Sequence, residues 1–247
     1  MSYLYLPPDR NVLDGRAVTS IAGTPDSEYP LSWLTDRRPA YPIRFAAGSW
    51  GVSISVASQA VRLVALCNHS LDAAVTVGGS ISGTITPGAP PVSGILRNPF
   101  LLLPAAVAGV TTITLSGTNA GPAIIGEAFA GDPLTLGSLQ LADAGDEYLD
   151  NGRPPQGEWR NVPMHDDGVE WRRFSGSQVY AASAADQIIA FWQAQRGLSR
   201  PGLLVIDTAV TSDARVVLIE GVAYRFNDRK DLLKMQLSFL EYPRYRW

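Results

Sequence analysis

"SWGVSISVASQAVRLVALCNHSLDAAVTV", residues 49–77, changes its periodicity halfway along. From Trp50 to Val56 apolar residues alternate with Gly51, Ser53 and Ser55, the period-two pattern of a strand with one buried face. From Val61 to Cys67 the chain is apolar almost without a break, as a strand covered on both faces requires. Residues 49–57 and 61–67 are therefore predicted as two strands, the first half-buried and the second enclosed. The same stretch holds the single cysteine, Cys67, and one of the two histidines, His69. A zinc site needs three or four ligands in recognisable spacing, and this Cys-x-His has no second cluster to complete it. A cysteine nucleophile would need His165 as its base. Cys67 reads instead as the last inward residue of its strand, a small hydrophobe, with Asn68 and His69 opening the turn.

Outward from this stretch, "AAVTVGGSISGTIT" (73–86) predicts two short strands around Gly78-Gly79, and "PGAPPVSG" (87–94) a loop. Residues 110–117 and 122–131 return to strand character. Strands at this spacing, with this turn chemistry, predict a mainly β protein with a β-sandwich or jelly roll over residues 1–131. Residues 132–247 are predicted as a β-rich region with a long exposed excursion over 141–160. One amphipathic helix is expected at 183–197, with Ile188, Ile189 and Trp192 on one side, Ser183 as cap and Gly197 as stop. Residues 202–209, 214–226 and 232–242 follow as β segments. In the last, Leu233, Met235, Leu237 and Phe239 alternate with Lys234, Gln236 and Ser238, one face buried and the other wet.

Composition narrows the function classes. With 46% apolar and 17% charged residues in 247, the chain can bury a real core and is not broadly disordered. A net charge of −3 removes the basic footprint of a nucleic-acid binder. The only lysines are Lys230 and Lys234, so the basic complement is almost all arginine, which suits bidentate and stacked protein contacts. A lone cysteine forms no internal disulfide. The start of the sequence lacks a signal-peptide pattern, and no run reaches the length of a membrane span, so a soluble chain is predicted.

Chemistry is sparse. In "MHDDGVEW" (164–171), His165, Asp166, Asp167 and Glu170 could hold a hard cation or supply paired carboxylates for glycoside hydrolysis. Asp167-Gly168 is also a hairpin turn signal, and a solvated hairpin tip explains the glycine as well as the acids. No nucleophile elbow, phosphate loop or dinucleotide fingerprint occurs. The prediction is no enzyme, no cofactor and no metal. Of the six tryptophans, Trp50 and Trp192 lie in apolar periodicity and read as core. Trp159 and Trp171 read as surface platforms or contacts with a neighbouring subunit. The ending "EYPRYRW" (241–247) stops sheet pairing at Pro243 and then offers Arg244, Tyr245, Arg246 and Trp247, the residue types of binding hot spots.

The order of phrases carries a resemblance. "TSIAGTPDSEYPLSWLTDRRPAYPIRFAAGSWGVSISVASQAVRLVALCNHSL" (19–71) holds the pattern "S…YP…WL.D.RP..P.RF", a strand, and an apolar strand ending in "ALxNHxL". It resembles the N-terminal sandwich of structural proteins of tailed-bacteriophage virions, a module similar to galactose-binding-like jelly rolls. "PAIIGEAFAGDPLTL" (122–136) is similar to phrases of phage tail proteins. "IIAFWQAQRG…GLLVID…VVLIEGVAYRF…LLKMQLSFLEY" resembles the helix, strand and long-hairpin ending of minor tail or distal tail proteins. Residues 137–182 are unmatched, and no inserted carbohydrate domain stands in the C-terminal half. The resemblance implies a virion tail-tip protein, made in the host cytoplasm and working by assembly. Its partners would be copies of itself in a ring, such as a hexamer, together with tail-tube and hub or baseplate proteins, and a host-surface glycan as a further ligand. The other reading is a carbohydrate-binding jelly-roll module.

Overall fold

The computed structural model describes residues 3–38, 41–88, 98–137, 147–149, 171–181, 201–205, 207–211, 214–226 and 232–241. The protein is mainly β, and the described residues form two seven-stranded sheets. Its longest element is β4 (Gly48–His69), which joins the two strands expected at 49–57 and 61–67 into one. No glycine or proline stands between them, so nothing ends the ladder, and Ala57, Ser58 and Gln59 simply run exposed. Against β4 lies β7 (Phe100–Asn119), antiparallel and in register from Gly48↔Asn119 to Ser55↔Thr112. Beyond that the register shifts, and Val61↔Val107 is followed by Leu63↔Leu102. The surplus on β7 includes Pro104, which cannot donate to a ladder, and Arg62 Nε donates to the Leu103 carbonyl there at 3.3 Å.

This long pair organises the first sheet. β2 (Val18–Ala22) flanks the first half of β4, and β8 (Ala123–Gly131) flanks the second. β3 (Ile43–Phe45) pairs with β8, while β5 (Val75–Gly79) and β6 (Gly83–Ile85) continue beyond β7. The hairpin expected in 73–86 exists, but its turn falls at Ser80–Ser82 and not at Gly78-Gly79. Gly79 sits at φ +91, where a Cβ would lie 2.5 Å from the Thr112 carbonyl oxygen, so glycine there serves a close strand approach.

The second sheet runs β10-β11-β14-β13-β12-β1-β9. β12 (Gly202–Val205), β13 (Ala214–Phe226) and β14 (Leu232–Glu241) lie where sequence periodicity placed them. Lys234 and Gln236 are exposed and Phe239 is buried, as the alternation requires, although Leu240 is buried too. β1 (Tyr3–Leu6) pairs with β12 and with β9 (Leu134–Gly137), so the start of the chain completes a sheet built from its last third. The excursion expected over 141–160 is corrected in part. Glu147–Leu149 form β10, paired with β11 (Trp171–Ala181), because "EYL" finds a partner strand distant in sequence. The helix expected at 183–197 lies outside the described residues.

Two cores explain the change of periodicity in β4. Val61, Val64 and Leu66 face the jelly-roll interior with Trp50, Val52 and Ile54. Leu63, Ala65 and Cys67 face the other way, into a layer shared with Phe100, Phe129, Leu4, Leu6, Leu203 and Val216. The second sheet therefore covers the outer face of the 61–67 segment, as its unbroken apolarity predicted. Cys67 is wholly buried in that layer. Cys67→Ala should cost ~1 kcal/mol in urea denaturation by leaving a small void. A loss above ~3 kcal/mol would assign the thiol more than packing.

Candidate functional site

Between β2 and β3 the chain leaves the sheet for a proline-punctuated excursion. It starts at Gly23, where φ is +74 and a Cβ would sit 2.5 Å from the Ser49 carbonyl oxygen. A short 3-10 helix, Leu31–Thr35, anchors the excursion by burying Leu34 in the jelly-roll core. Trp33 packs partly against the same core. Its ring meets Tyr29 at 6.2 Å and 80°, and Tyr41 at 5.4 Å and 69°, an edge-to-face row of three aromatics. The Arg38 guanidinium lies 4.9 Å from the Tyr41 ring centre, and that of Arg44, on β3, lies 5.8 Å from the Tyr29 ring centre. Arg38 is steadied by Asp36, whose Oδ2 accepts from Nε at 2.8 Å. The three rings and Arg44 are half-buried, and Arg38 is exposed.

Beneath this face lies an unusual carboxyl. Glu127, on β8 opposite Cys67, is wholly buried. Its Oε1 accepts the backbone N–H of Arg37 at 3.3 Å, and among the described residues its Oε2 has no hydrogen-bond partner. Arg37 holds φ +67, rare for a side-chain-bearing residue, and its guanidinium pairs with Asp14. Burial, with Asp36 nearby, pushes the Glu127 carboxyl well above the usual carboxylate range, and backbone N–H groups of Arg37 and Arg38 offset this only in part. The native state thus holds this proton more tightly than the unfolded chain. Its contribution to stability is complete below the ordinary glutamate range and is lost as pH rises through the raised value. Glu127→Gln should therefore gain stability relative to wild type as pH increases, in thermal melts from about pH 5 to 9. A constant difference across that range would show that the carboxyl does not titrate there.

The opening pair of the sequence reading is structural in its contacts. His69 is buried, and its Nδ1 accepts the Leu71 N–H at 3.0 Å, so the proton of a neutral ring sits on Nε2. Asn68, at φ +50, donates its N–H to Asn98 Oδ1 at 3.0 Å. Asn98 also accepts from Ala214 N–H through its carbonyl at 3.0 Å and so clasps the jelly roll to the second sheet. Among the described residues no group of three or more His, Cys, Asp or Glu is placed to hold a metal ion.

Of the residues singled out in the sequence, Trp171 opens β11 opposite Leu149. Trp159, His165, Asp166, Asp167, Glu170, Arg244, Tyr245, Arg246 and Trp247 lie outside the described residues. The aromatic–arginine face was not singled out, although Tyr29, Trp33, Arg38 and Arg44 are fixed positions of the "YP…WL.D.RP..P.RF" pattern and Tyr41 falls in one of its gaps; the readable signal was three rings in one proline-bounded loop. Glu127 was missed as well, and its signal was a lone acid inside the apolar strand "AIIGEAFAG".

No family model matches the chain, and no curated protein matches it. Among solved structures it is similar to SpGH29, with a TM-score of 0.40 and 14% identity over 51% of this chain and 28% of that one. It is also similar to the family 32 carbohydrate-binding module of C. perfringens NanJ, solved in complex with galactose. That likeness has a TM-score of 0.39 and 10% identity, over 53% of this chain and 99% of that one. Neither is described as part of a virion. At these scores the architecture rests on the strand order itself, and no helix among the described residues is long and apolar enough to cross a membrane.

Proposed function

We propose that the chain works by docking and not by catalysis, as a structural component of a tailed-bacteriophage virion at the tail tip. The observation that carries the docking reading is the row Tyr29–Trp33–Tyr41 with Arg38 and Arg44 stacked on its tyrosines. One face of each tyrosine is taken by a guanidinium, which leaves ring edges and N–H forks for a partner. Tyr, Trp and Arg in one cluster are the composition of protein–protein hot spots. The virion placement rests on the sequence resemblance, whose first phrase includes Tyr29, Trp33, Arg38 and Arg44 of this face. The partners are copies of the chain in a closed ring, with tail-tube and hub proteins.

A second reading is a carbohydrate-binding jelly roll, favoured by the half-buried ring of Trp33, which no guanidinium among the described residues covers. Sedimentation velocity and a glycan array separate the two. The tail reading expects a closed oligomer, with or without a host-surface glycan bound. A monomer that binds a sugar replaces it with the second reading, and a monomer that binds none overturns both.

A further inference from the structure

We propose that the free edge of β2 is a self-pairing strand, through which two copies of the chain associate about a two-fold axis. This goes beyond the aromatic face and does not rest on it. Among the described strands β2 pairs with β4 alone. Ser55 N–H donates to the Ala17 carbonyl at 3.4 Å, so Ala17 and, two residues on, Thr19 turn their backbone groups toward β4. Arg16, Val18 and Ser20 therefore turn theirs outward. The outward carbonyl of Arg16 accepts from the Thr35 hydroxyl at 2.9 Å. Among the described residues nothing takes the backbone groups of Val18 and Ser20. Thr19, Ser20 and Ile21 are exposed in succession, and Ile21, at 55%, is the most exposed large apolar residue described. Edge strands are ordinarily guarded by charge or proline, and "AVTSI" (17–21) carries neither.

The shape of this edge selects a second β2 as its partner. Pairing stops at one end where Thr35 caps Arg16, and at the other where a bulge inserts Ile21 between the Ser20↔Val52 and Ala22↔Gly51 pairs. A long partner strand would leave its own groups unpaired on both sides. A second copy, antiparallel and centred on Thr19, pairs Val18 with its Ser20 and Ser20 with its Val18, and every outward N–H and C=O of both strands is used. Thr19 then faces Thr19 of the other copy, and Ile21 covers the other copy's exposed Ala17. Charge favours the same direction. Arg16 precedes the strand and Asp26 and Glu28 follow it, while Asp14 is paired with Arg37. Antiparallel pairing sets Arg16 toward the acidic end of the other copy, and parallel pairing would set like charges together. A two-fold contact closes on itself, so it leaves a ring contact at the aromatic face free.

Disulfide trapping on the full chain tests the edge. Thr19→Cys supplies the accessible thiol, because Cys67 is buried. On the two-fold axis the two positions form a non-hydrogen-bonded pair with Cα atoms about 4.5 Å apart, within reach of a disulfide. With oxidised glutathione this variant should run as a covalent dimer on a non-reducing gel. Thr76→Cys, equally exposed but inside the sheet on β5, should not. Added to Thr19→Cys, either Ser20→Pro, which removes an outward N–H and no ladder bond, or Ile21→Lys should lower trapping roughly tenfold. Ile21 is exposed, so its variant folds even where the proline is not tolerated. Trapping should persist when Arg38→Ala and Arg44→Ala are added, which separates failure of this contact from failure of the aromatic face. Trapping that is absent at Thr19, equal at Thr76, or undiminished by Ile21→Lys overturns the proposal. Trapping lost with the two arginines places the contact elsewhere and overturns it too.

Discussion

Gly131→Ala should destabilise the protein by about 3 kcal/mol or more, the upper part of the range for overpacking. Gly131 ends β8, where a Cβ would fall 2.2 Å from the Arg10 carbonyl oxygen and 2.8 Å from Leu6 Cδ1. A flexible side chain could retreat, but this obstacle is backbone. The Arg10 segment cannot move freely, because Val12 N–H donates to the Ala130 carbonyl at 2.8 Å and Ala130 N–H donates to Asn11 Oδ1 at 3.1 Å. Room for the methyl requires parting β8 from the segment that carries β1 into the second sheet. Urea denaturation should show a lower midpoint with the slope unchanged. A loss under about 0.5 kcal/mol would mean that the two segments do not approach as described.

Trp50→Ala should cost about 3–5 kcal/mol, the range for truncating a buried aromatic. Trp50 is 1% exposed at the start of β4, tilted against Phe45 at 6.1 Å between ring centres. Across the ladder it faces Gly117, where a Cβ would lie 3.3 Å from the indole Nε1. The absent side chain makes room for the indole, and nothing nearby can refill that volume. Trp50→Phe should recover part of the loss, since it returns most of the apolar area. Equal losses for Ala and Phe would point to the indole N–H, not its bulk, as the stabilising feature.

Much of this fold was legible in the sequence because periodicity reports the number of covered faces. The alternation of 50–56 and the continuity of 61–67 gave one buried face and then two, and Val64 and Cys67 lie in different cores for that reason. Periodicity says nothing about which strand supplies the cover. That β1 would pair with β12, over 190 residues away, has no local signature. The join of two strands into β4 was hidden because exposed Ala57–Gln59 look like a turn when only polarity is read. The functional face was less legible. Tyr29, Trp33 and Tyr41 have no fixed spacing to mark them, and they meet only because the 3-10 helix and its prolines fold the loop back on itself.

The face itself can be tested without disturbing the core. The double substitution Arg38→Ala, Arg44→Ala removes the two stacked guanidiniums and leaves Leu34 and Trp33 packed. Its melting temperature should stay close to the wild-type value, since half-exposed arginines add little to folding. Sedimentation velocity on the full chain should show subunit association weakened by roughly thirtyfold or more, the equivalent of one hot-spot contact of about 2 kcal/mol. Association at wild-type strength, with the fold intact, would contradict the docking role of this face.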